Sequence, residues 1–201
     1  FTTAEAGYVY LLFTFIAFAQ VFYNHGMDSA FLKFISQNDA NKQSVLNTSL
    51  LILLFSSGLF SLILYYFASL ISTIYLGIDE PLWIRLCSLI LLIDVISSRI
   101  MAYLRVINRP IYFSIISIVS VMVTIGANIY LITSLNMGIV GVLYGTMAGS
   151  LIRFILVAPL LFSWFNLNLF KFDLYKRMLI FGIPFFPAAL FFMIMEMADR
   201  Y

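Results

Sequence analysis

The chain has 201 residues, of which 63% are hydrophobic and 10% charged, and its formal net charge is +2. A soluble domain would be about 45–50% apolar and about 25% charged. The composition, with a mean hydropathy of +1.05, therefore excludes a soluble protein and predicts a chain embedded in a bilayer. The small net charge gives no reason to expect nucleic acid as a partner, and the single cysteine, Cys87, excludes a disulfide within the chain. We expect no metal site, no cofactor and no catalytic residue.

The first predicted span covers residues 7–23 and is followed by the polar sequence Asn24-His25-Gly26-Met27-Asp28. A bilayer core of about 30 Å needs about 20 helical residues, so the apolar run is slightly short. One interpretation is that the helix continues through Gly26, which would place His25 and Asp28 on one face as a protonatable pair facing a cavity. The other is that the helix ends near Tyr23 and restarts after a polar turn. The sequence favours the two equally.

The second predicted span, residues 46–75, is polar mainly through serines and threonines and is typical of a packing or lipid-facing helix. The third, residues 82–104, contains Asp94 and Arg99. Each charge costs about 2.5–3.5 kcal/mol at mid-membrane, which nearly cancels the insertion free energy of the apolar side chains. The two residues are separated by about 140° around a helix, so at least one must interact with another helix or a ligand.

The fourth predicted span, residues 111–134, has Asn128 as its one strongly polar interior residue, and an interhelical hydrogen bond is the favoured role. In the fifth, residues 138–164, three glycines recur at four-residue spacing: Gly141, Gly145 and Gly149. Small residues at this spacing predict a helix-packing seam.

Arg153 lies about 22 Å along the fifth predicted span, counted from its first residue at the helical rise. That depth is too great for a residue at the outer edge. An arginine within a membrane span is a functional-site hypothesis. The alternative is an anchor whose side chain extends to the inner edge.

The last stretch, residues 181–201, reads FGIPFFPAALFFMIMEMADRY. Pro184 and Pro187 predict a helix kink, which lipid tolerates only where neighbouring helices or water satisfy the freed carbonyls. Three charged residues close the stretch: Glu196, Asp199 and Arg200. Charges at the end of a kinked span suggest the wall of a transporter cavity.

Charges in the predicted loops orient the six spans. Seven basic residues fall in loops on one side: Lys33, Lys42, Arg105, Arg109, Lys171, Lys176 and Arg177. The other side carries Glu5, Asp79 and Glu80 with only Arg85 nearby. Because an excess of lysine and arginine marks the cytoplasm, residues 1 and 201 are both expected outside. Residues 166–177 form the longest predicted inner linker. We expect the chain to be a fragment of a longer protein, with this linker as the boundary between its two halves.

Four segments carry a resemblance to a known family: FTTAEAGYVY, GMDSAFLKF, RVINRP and FGIPFFPAALFFMIMEMADRY. Together they resemble bacterial polysaccharide biosynthesis flippases of the multidrug/oligosaccharidyl-lipid/polysaccharide exporter superfamily. The resemblance implies an all-α helix bundle of 12–14 helices in two lobes, located in the inner (plasma) membrane. Residues 1–170 would be helices two to six of the N-terminal lobe. Residues 171–201 would be the inner linker and first helix of the C-terminal lobe.

The function implied by this resemblance is to flip a lipid-linked oligosaccharide, carried on undecaprenyl pyrophosphate, between leaflets by alternating access. Its relatives hold the pyrophosphate with cations in a central cavity. Here Arg99 and Arg153 are candidates by depth, and Asp199 and Arg200 by the family motif. The candidates for binding a coupling proton or sodium ion are His25, Asp28, Asp94 and Glu196. The expected partners are membrane lipids, the lipid-linked substrate and the rest of the chain.

Three alternatives remain open. A cation-coupled multidrug exporter of the same superfamily would use the carboxylates for coupling, although three buried arginines would repel organic cations. A membrane-embedded glycan-modifying transferase would need a catalytic base, and His25 is the only histidine. A structural membrane subunit would have its charges paired with one another and dispensable for transport. We therefore expect a transporter rather than an enzyme.

Overall fold

The computed structural model of the chain describes residues 3–37 and 41–198. The described residues are 89% helical, and no strand occurs among them. Six helical segments within them are long and apolar enough to cross a membrane. The prediction of an all-helical, six-span membrane protein is therefore confirmed.

Nine α-helices make up most of the described chain. In order they are α1 (Thr3–Asn24), α2 (Met27–Ser36), α3 (Lys42–Tyr66), α4 (Ala68–Ile71), α5 (Pro81–Val106), α6 (Pro110–Ile129), α7 (Gly138–Trp164), α8 (Phe172–Gly182) and α9 (Phe185–Ala198). Single π-helical turns extend α4 and α6, over Ser72–Leu76 and Tyr130–Ser134. A short 3₁₀ turn, Leu167–Leu169, precedes α8.

Local sequence signals explain where several helices begin. Pro81 and Pro110 occupy the first turns of α5 and α6, where a proline costs no hydrogen bond. Asn41 caps α3, because its Oδ1 accepts hydrogen bonds from the backbone nitrogens of Gln43 and Ser44. The end of the second span is less regular than its sequence indicated. The helix stops at Tyr66 and continues as α4 and a π-helical turn.

Helix α5 lies at the centre of the bundle. Of its most apolar 18-residue window, 67% is buried, whereas the corresponding shares for the other five spans are 11–39%. It packs against α1, α3 and α7, and the two apolar cores of the described chain both include its side chains. The charges in the middle of α5, Asp94 and Arg99, are therefore held among helices rather than in lipid.

The first span ends in a helix break. Helix α1 ends at Asn24 and α2 begins at Met27, and His25 and Gly26 between them have positive φ values of 33° and 77°. The interpretation of a helix that continues through Gly26 is therefore wrong, and the polar-turn interpretation is correct. His25 and Asp28 do not share a helical face, because only Asp28 is in a helix.

The sixth span is also interrupted, between α8 and α9 at Ile183 and Pro184. Pro187 lies in the first turn of α9, where its missing N–H is tolerated. Residues 172–177, predicted as linker, are already the first turns of α8. The span packs against α1, α2 and α3. Its place as the first helix of a second lobe stays a prediction.

The two breaks face each other. A Cβ added to Gly26 would overlap the carbonyl oxygen of Gly182 and lie 2.7 Å from its carbonyl carbon. One added to Gly182 would lie 3.1 Å from the Gly26 oxygen. Only glycine permits this approach of two backbones, so the break after the first span touches the sixth span at its interruption.

The glycines of α7 lie against α6. A Cβ on Gly145 would overlap Oδ1 of Asn128, and one on Gly149 would overlap Oγ1 of Thr124. The third glycine, Gly141, approaches Leu131 just beyond α6. The amide of Asn128 thus lies in the contact between the helices, and its buried Oδ1 has no hydrogen-bond partner among the described residues.

We expect Gly145→Leu to destabilise the bundle by about 1–3 kcal/mol, because the added side chain must displace Asn128. Gly126→Leu is the matched control, since the space around Gly126 on α6 is open. Thermal unfolding in detergent, followed by circular dichroism, measures the difference. Equal unfolding temperatures for the two variants would contradict the packing role of Gly145.

A second comparison isolates the contact between the broken helices. Gly26→Ala and Gly77→Ala both place alanine at positive φ, which costs about 1–2 kcal/mol. Only the variant at Gly26 also meets the Gly182 backbone, because nothing lies near Gly77. We expect Gly26→Ala to unfold at the lower temperature. If the two variants unfold together, backbone strain alone accounts for the loss.

Candidate functional site

Arg99 anchors the beginning of α2 on α5. Its side chain has no exposed surface, and Nη2 donates a hydrogen bond to Oδ1 of Asp28 at 2.9 Å. Nη1 donates to the carbonyl oxygen of Met27 at 3.3 Å, and the guanidinium carbon lies 4.7 Å from the ring centroid of Phe31. These three partners all follow the break that ends the first span. The buried cation is therefore neutralised by the helix that restarts there.

Asp94 and Arg153 form a second charged pair, between α5 and α7. Nη1 of Arg153 lies 3.3 Å from Oδ1 of Asp94, and the side chains are 32% and 24% exposed, respectively. Asp94 lies 13 residues from the first residue of α5 and 12 from the last, or about 20 Å and 18 Å at the helical rise. The pair thus lies near the middle of the span, and Arg153 is not an anchor at the inner edge.

The pairing confirms one prediction from helical geometry. Asp94 and Arg99 do not interact with each other, and each forms an ion pair with a residue of a different helix. This also agrees with one expectation of the structural-subunit alternative, namely charges paired with one another. Its second expectation, that the charges are dispensable for transport, stays a prediction.

A cavity of about 470 Å³, here called the α2–α5 cavity, opens between the first span and α5. Six of its lining side chains are polar: Gln20, Asn24, Asp28, Ser98, Arg99 and Arg105. Oδ1 of Asn24 is buried and has no hydrogen-bond partner, and the same is true of Nε of Arg99. These two atoms are thus covered by protein, and their hydrogen-bonding capacity is not used within the described residues.

Arg105 provides the free cation of this cavity. It is exposed, its guanidinium carbon lies 4.9 Å from the ring centroid of Phe113, and it forms no ion pair with a described carboxylate. Asp94 and Ser98 are four residues apart on α5, with Ala102 and Arg105 following at helical spacing, so they lie on one face. This row spans about 16 Å along α5, from the mid-span pair to the end that carries the basic loops, and is here called the polar track. Three of its four residues are polar, and Ser98, Ala102 and Arg105 line the α2–α5 cavity.

His25 lies in a different place from Asp28. It lines an apolar cavity of about 470 Å³ between α3 and α8, together with Leu51, Phe55 and Tyr175. Its Nδ1 is 3.0 Å from the carbonyl oxygen of Tyr23. His25 and Asp28, which the sequence predicted as one polar pair, therefore line two separate cavities.

The remaining candidates belong to the end of the chain. Glu196 lies in α9, and Asp199 and Arg200 lie outside the described residues. Sequence reasoning missed Gln20, Asn24 and Arg105 as cavity residues. The signal for two of them was present, because Gln20 and Asn24 are four residues apart on an otherwise apolar helix.

The described residues contain no group of three or more histidine, cysteine, aspartate or glutamate side chains that could hold a metal ion. The chemistry available in the α2–α5 cavity is ionic contact and hydrogen bonding, supplied chiefly by arginine and amide groups. Such groups suit an anionic, oxygen-rich ligand.

Six apolar helices with charged pairs between them and a polar cavity beside the central helix define a multi-pass membrane protein. A family model described as polysaccharide biosynthesis protein matches residues 1–200, and the chain belongs to this family. The resemblance drawn from the four sequence segments is thereby confirmed. No curated protein and no solved structure matches the chain. Family and spans together fit a transporter of flippase type in general.

The two partners of the Arg99 ion pair differ in burial, which leads to a prediction. Asp28→Asn leaves a buried guanidinium without a counter-charge, whereas Arg99→Met leaves a carboxylate whose side chain is 57% exposed. We expect Asp28→Asn to cost about 2 kcal/mol of unfolding free energy, below the range for a fully buried pair because water reaches the carboxylate. Arg99→Met should cost less.

The double variant Asp28→Asn/Arg99→Met completes a double-mutant cycle with the two single variants. It should unfold at a higher temperature than Asp28→Asn alone, because the uncompensated charge has been removed. Single-variant losses that are equal and additive would contradict a neutralising role for Asp28. Ser98→Ala, in the same cavity but outside the ion pair, serves as a control.

Proposed function

We propose that this chain is part of a transporter that flips a lipid-linked oligosaccharide, carried on undecaprenyl pyrophosphate, from the inner to the outer leaflet by alternating access. The observation that carries the proposal is the polar track on α5. At its basic end Arg105 forms no ion pair with a described carboxylate, and at mid-span its Asp94 is paired with the partly exposed Arg153 of α7. By the distribution of lysine and arginine, the basic end faces the cytoplasm of a bacterial inner membrane.

The pyrophosphate of the carrier would first meet Arg105. Phosphate oxygens accept strong, often bidentate hydrogen bonds from guanidinium groups. Arg105 forms no ion pair with a described carboxylate, so binding there displaces no protein partner. An anion entering from the cytoplasmic leaflet therefore finds an unneutralised cation at the mouth of the α2–α5 cavity.

Deeper in the span, the substrate would exchange with a carboxylate. Arg153 is paired with Asp94 at 3.3 Å, and both side chains keep exposed surface. A pyrophosphate can replace Asp94 as the partner of Arg153, while the pair neutralises the arginine when no substrate is present. The freed Asp94 carboxylate is then the candidate site for a coupling proton or sodium ion.

Arg99 has a different role in this proposal. Its side chain is fully buried and already holds Asp28 and the Met27 carbonyl. It therefore positions α2, and with it Asn24 and Asp28 at the cavity wall, rather than contacting the pyrophosphate. Asp199 and Arg200 remain candidates for the outer side of the pathway.

The structural-subunit alternative is the second candidate, because the observed pairing of charges is what it predicts. A cation-coupled drug exporter is less well supported, since Arg105 adds a free positive charge to the cavity. A transferase would require a base beside the polar cavity, whereas His25 lies in the apolar one.

Replacing the mid-span pair separates the first two candidates. In the full-length transporter, Asp94→Leu/Arg153→Met should keep the fold while lowering delivery of lipid-linked oligosaccharide to the outer leaflet by about tenfold or more, because a charge-assisted contact is lost. A structural role predicts normal delivery by this apolar variant. The readout is oligosaccharide exposed on the outer face of cells or proteoliposomes, normalised to folded protein.

Arg105→Gln should lower the same rate by reducing capture of the substrate at the cavity mouth. Arg109→Gln is its matched control, because Arg109 lies at the same end but outside the α2–α5 cavity. Unchanged delivery by Arg105→Gln combined with Arg153→Gln would lead us to abandon the assignment of both arginines.

A further inference from the structure

We propose that a notch between α2, α3 and α8 binds an anionic glycerophospholipid of the phosphatidylglycerol type. The notch lies at the basic end of the bundle. It is separate from the α2–α5 cavity, because Asp28, Phe31 and Leu32 of α2 line that cavity while Lys33 and Phe34 line the notch. The inference does not depend on which substrate the transporter carries.

The head-group part of the notch is a polar pocket of about 430 Å³. Its polar side chains are Gln37, Asn41, Ser44, Lys171 and Arg177. Asn41 and Ser44 are already engaged, Asn41 as the cap of α3 and Ser44 through its hydroxyl, which donates to the Leu169 carbonyl oxygen at 2.8 Å. Lys171, Arg177 and the Gln37 amide are left as donors for a phosphate.

The charges of this pocket are not neutralised within the described chain. Lys171 and Arg177 form no ion pair with a described carboxylate, in contrast to the mid-membrane arginines. Arg177 uses only Nε, which donates to the backbone carbonyl of Asp173 at 3.4 Å. The Asp173 carboxylate, one turn earlier on α8, likewise forms no ion pair with a described cation. A phosphate would supply the counter-charge that the described residues do not.

An apolar groove of about 410 Å³ continues from this pocket. The two spaces share Phe34 and Arg177. The groove then follows Ile180, Phe181, Pro184 and Phe185 across the break between α8 and α9, and extends about 12 Å along the span from Arg177.

Lys33 lies at the boundary between the polar pocket and the apolar groove. Its Nζ is 3.7 Å from the ring centroid of Phe181, and the side chain lines the groove together with Arg177. An ammonium at this position can accompany a phosphate while its stem covers apolar surface.

The combination of a basic polar pocket with an apolar groove indicates which kind of molecule binds in the notch. Basic pockets between membrane helices on the cytoplasmic side bind anionic lipid head groups. A soluble anion would not require the groove, and a peptide in lipid would require backbone partners that the groove, with little polar surface, does not offer. A phosphate joined to an acyl chain matches both the polar pocket and the apolar groove.

Photo-crosslinking tests the site. The purified protein is placed in phosphatidylcholine nanodiscs with a trace of phosphatidylglycerol that carries a diazirine on its acyl chain, and labelled peptides are mapped. We expect label on residues 178–186. Lys171→Gln/Arg177→Gln should reduce it about tenfold or more, since each surface cation contributes to anionic-lipid binding. Lys176→Gln/Arg109→Gln removes the same charge at the same end outside the notch and should leave the label unchanged.

A second variant tests the groove itself. Ile180→Trp fills the apolar space, and it should reduce the label with the charges intact. Unlabelled phosphatidylglycerol should compete, whereas phosphatidylcholine should not. Circular dichroism of each variant verifies the fold.

Three results would overturn the proposal. The unmodified protein could show no label, the control charge variant could reduce the label as much as Lys171→Gln/Arg177→Gln does, or Ile180→Trp could leave the label unchanged. Displacement by inorganic phosphate would indicate a soluble-anion site. Stronger displacement by undecaprenyl phosphate than by phosphatidylglycerol would indicate a substrate site. Because none of these readouts measures transport, the lipid site and the proposed function can fail separately.

Discussion

A buried guanidinium organises the half of the bundle that carries the basic loops. Arg99 lies on the central helix without exposed side-chain surface, so the free energy of folding depends on neutralising it. The chain does this with Met27, Asp28 and Phe31, all at the beginning of α2. The break at His25 and Gly26 is therefore part of the same arrangement, since it starts the helix that supplies these partners.

The break has a second consequence, at the sixth span. Gly26 has a positive φ and leaves its backbone open to Gly182, directly before the interruption between α8 and α9. The α2–α5 cavity lies on one side of α2, and the lipid notch lies on another, bordered by α8. The beginning of α2 thus contacts or borders three features: the central helix that carries the polar track, the sixth span and the proposed lipid site.

Sequence reasoning succeeded where a single signal dominated. The fifth span was predicted as residues 138–164 and is Gly138–Trp164, because a long apolar run has clear ends. Sequence reasoning failed where local patterns were compatible with more than one structure. The turn after Asn24 and the helix start at Phe172 depend on tertiary contacts, such as those of Gly26 with Gly182, that no local pattern shows. Likewise, helical spacing showed that Asp94 and Arg99 could not pair with each other, but their partners lie 59 and 71 residues away in sequence.

Both ion pairs neutralise an arginine within a membrane span, but one is buried and the other is partly exposed. Arg99 is closed off, and its pair therefore suits a permanent role in holding α2 on α5. Arg153 and Asp94 retain about a third and a quarter of their side-chain surface, so a competing anion can reach the arginine. Pairing alone does not distinguish a structural charge from a functional one, because any charge in a membrane span needs a partner. The two described pairs differ in exposure, and it is the exposed surface of the mid-span pair that the proposed exchange with a substrate anion requires.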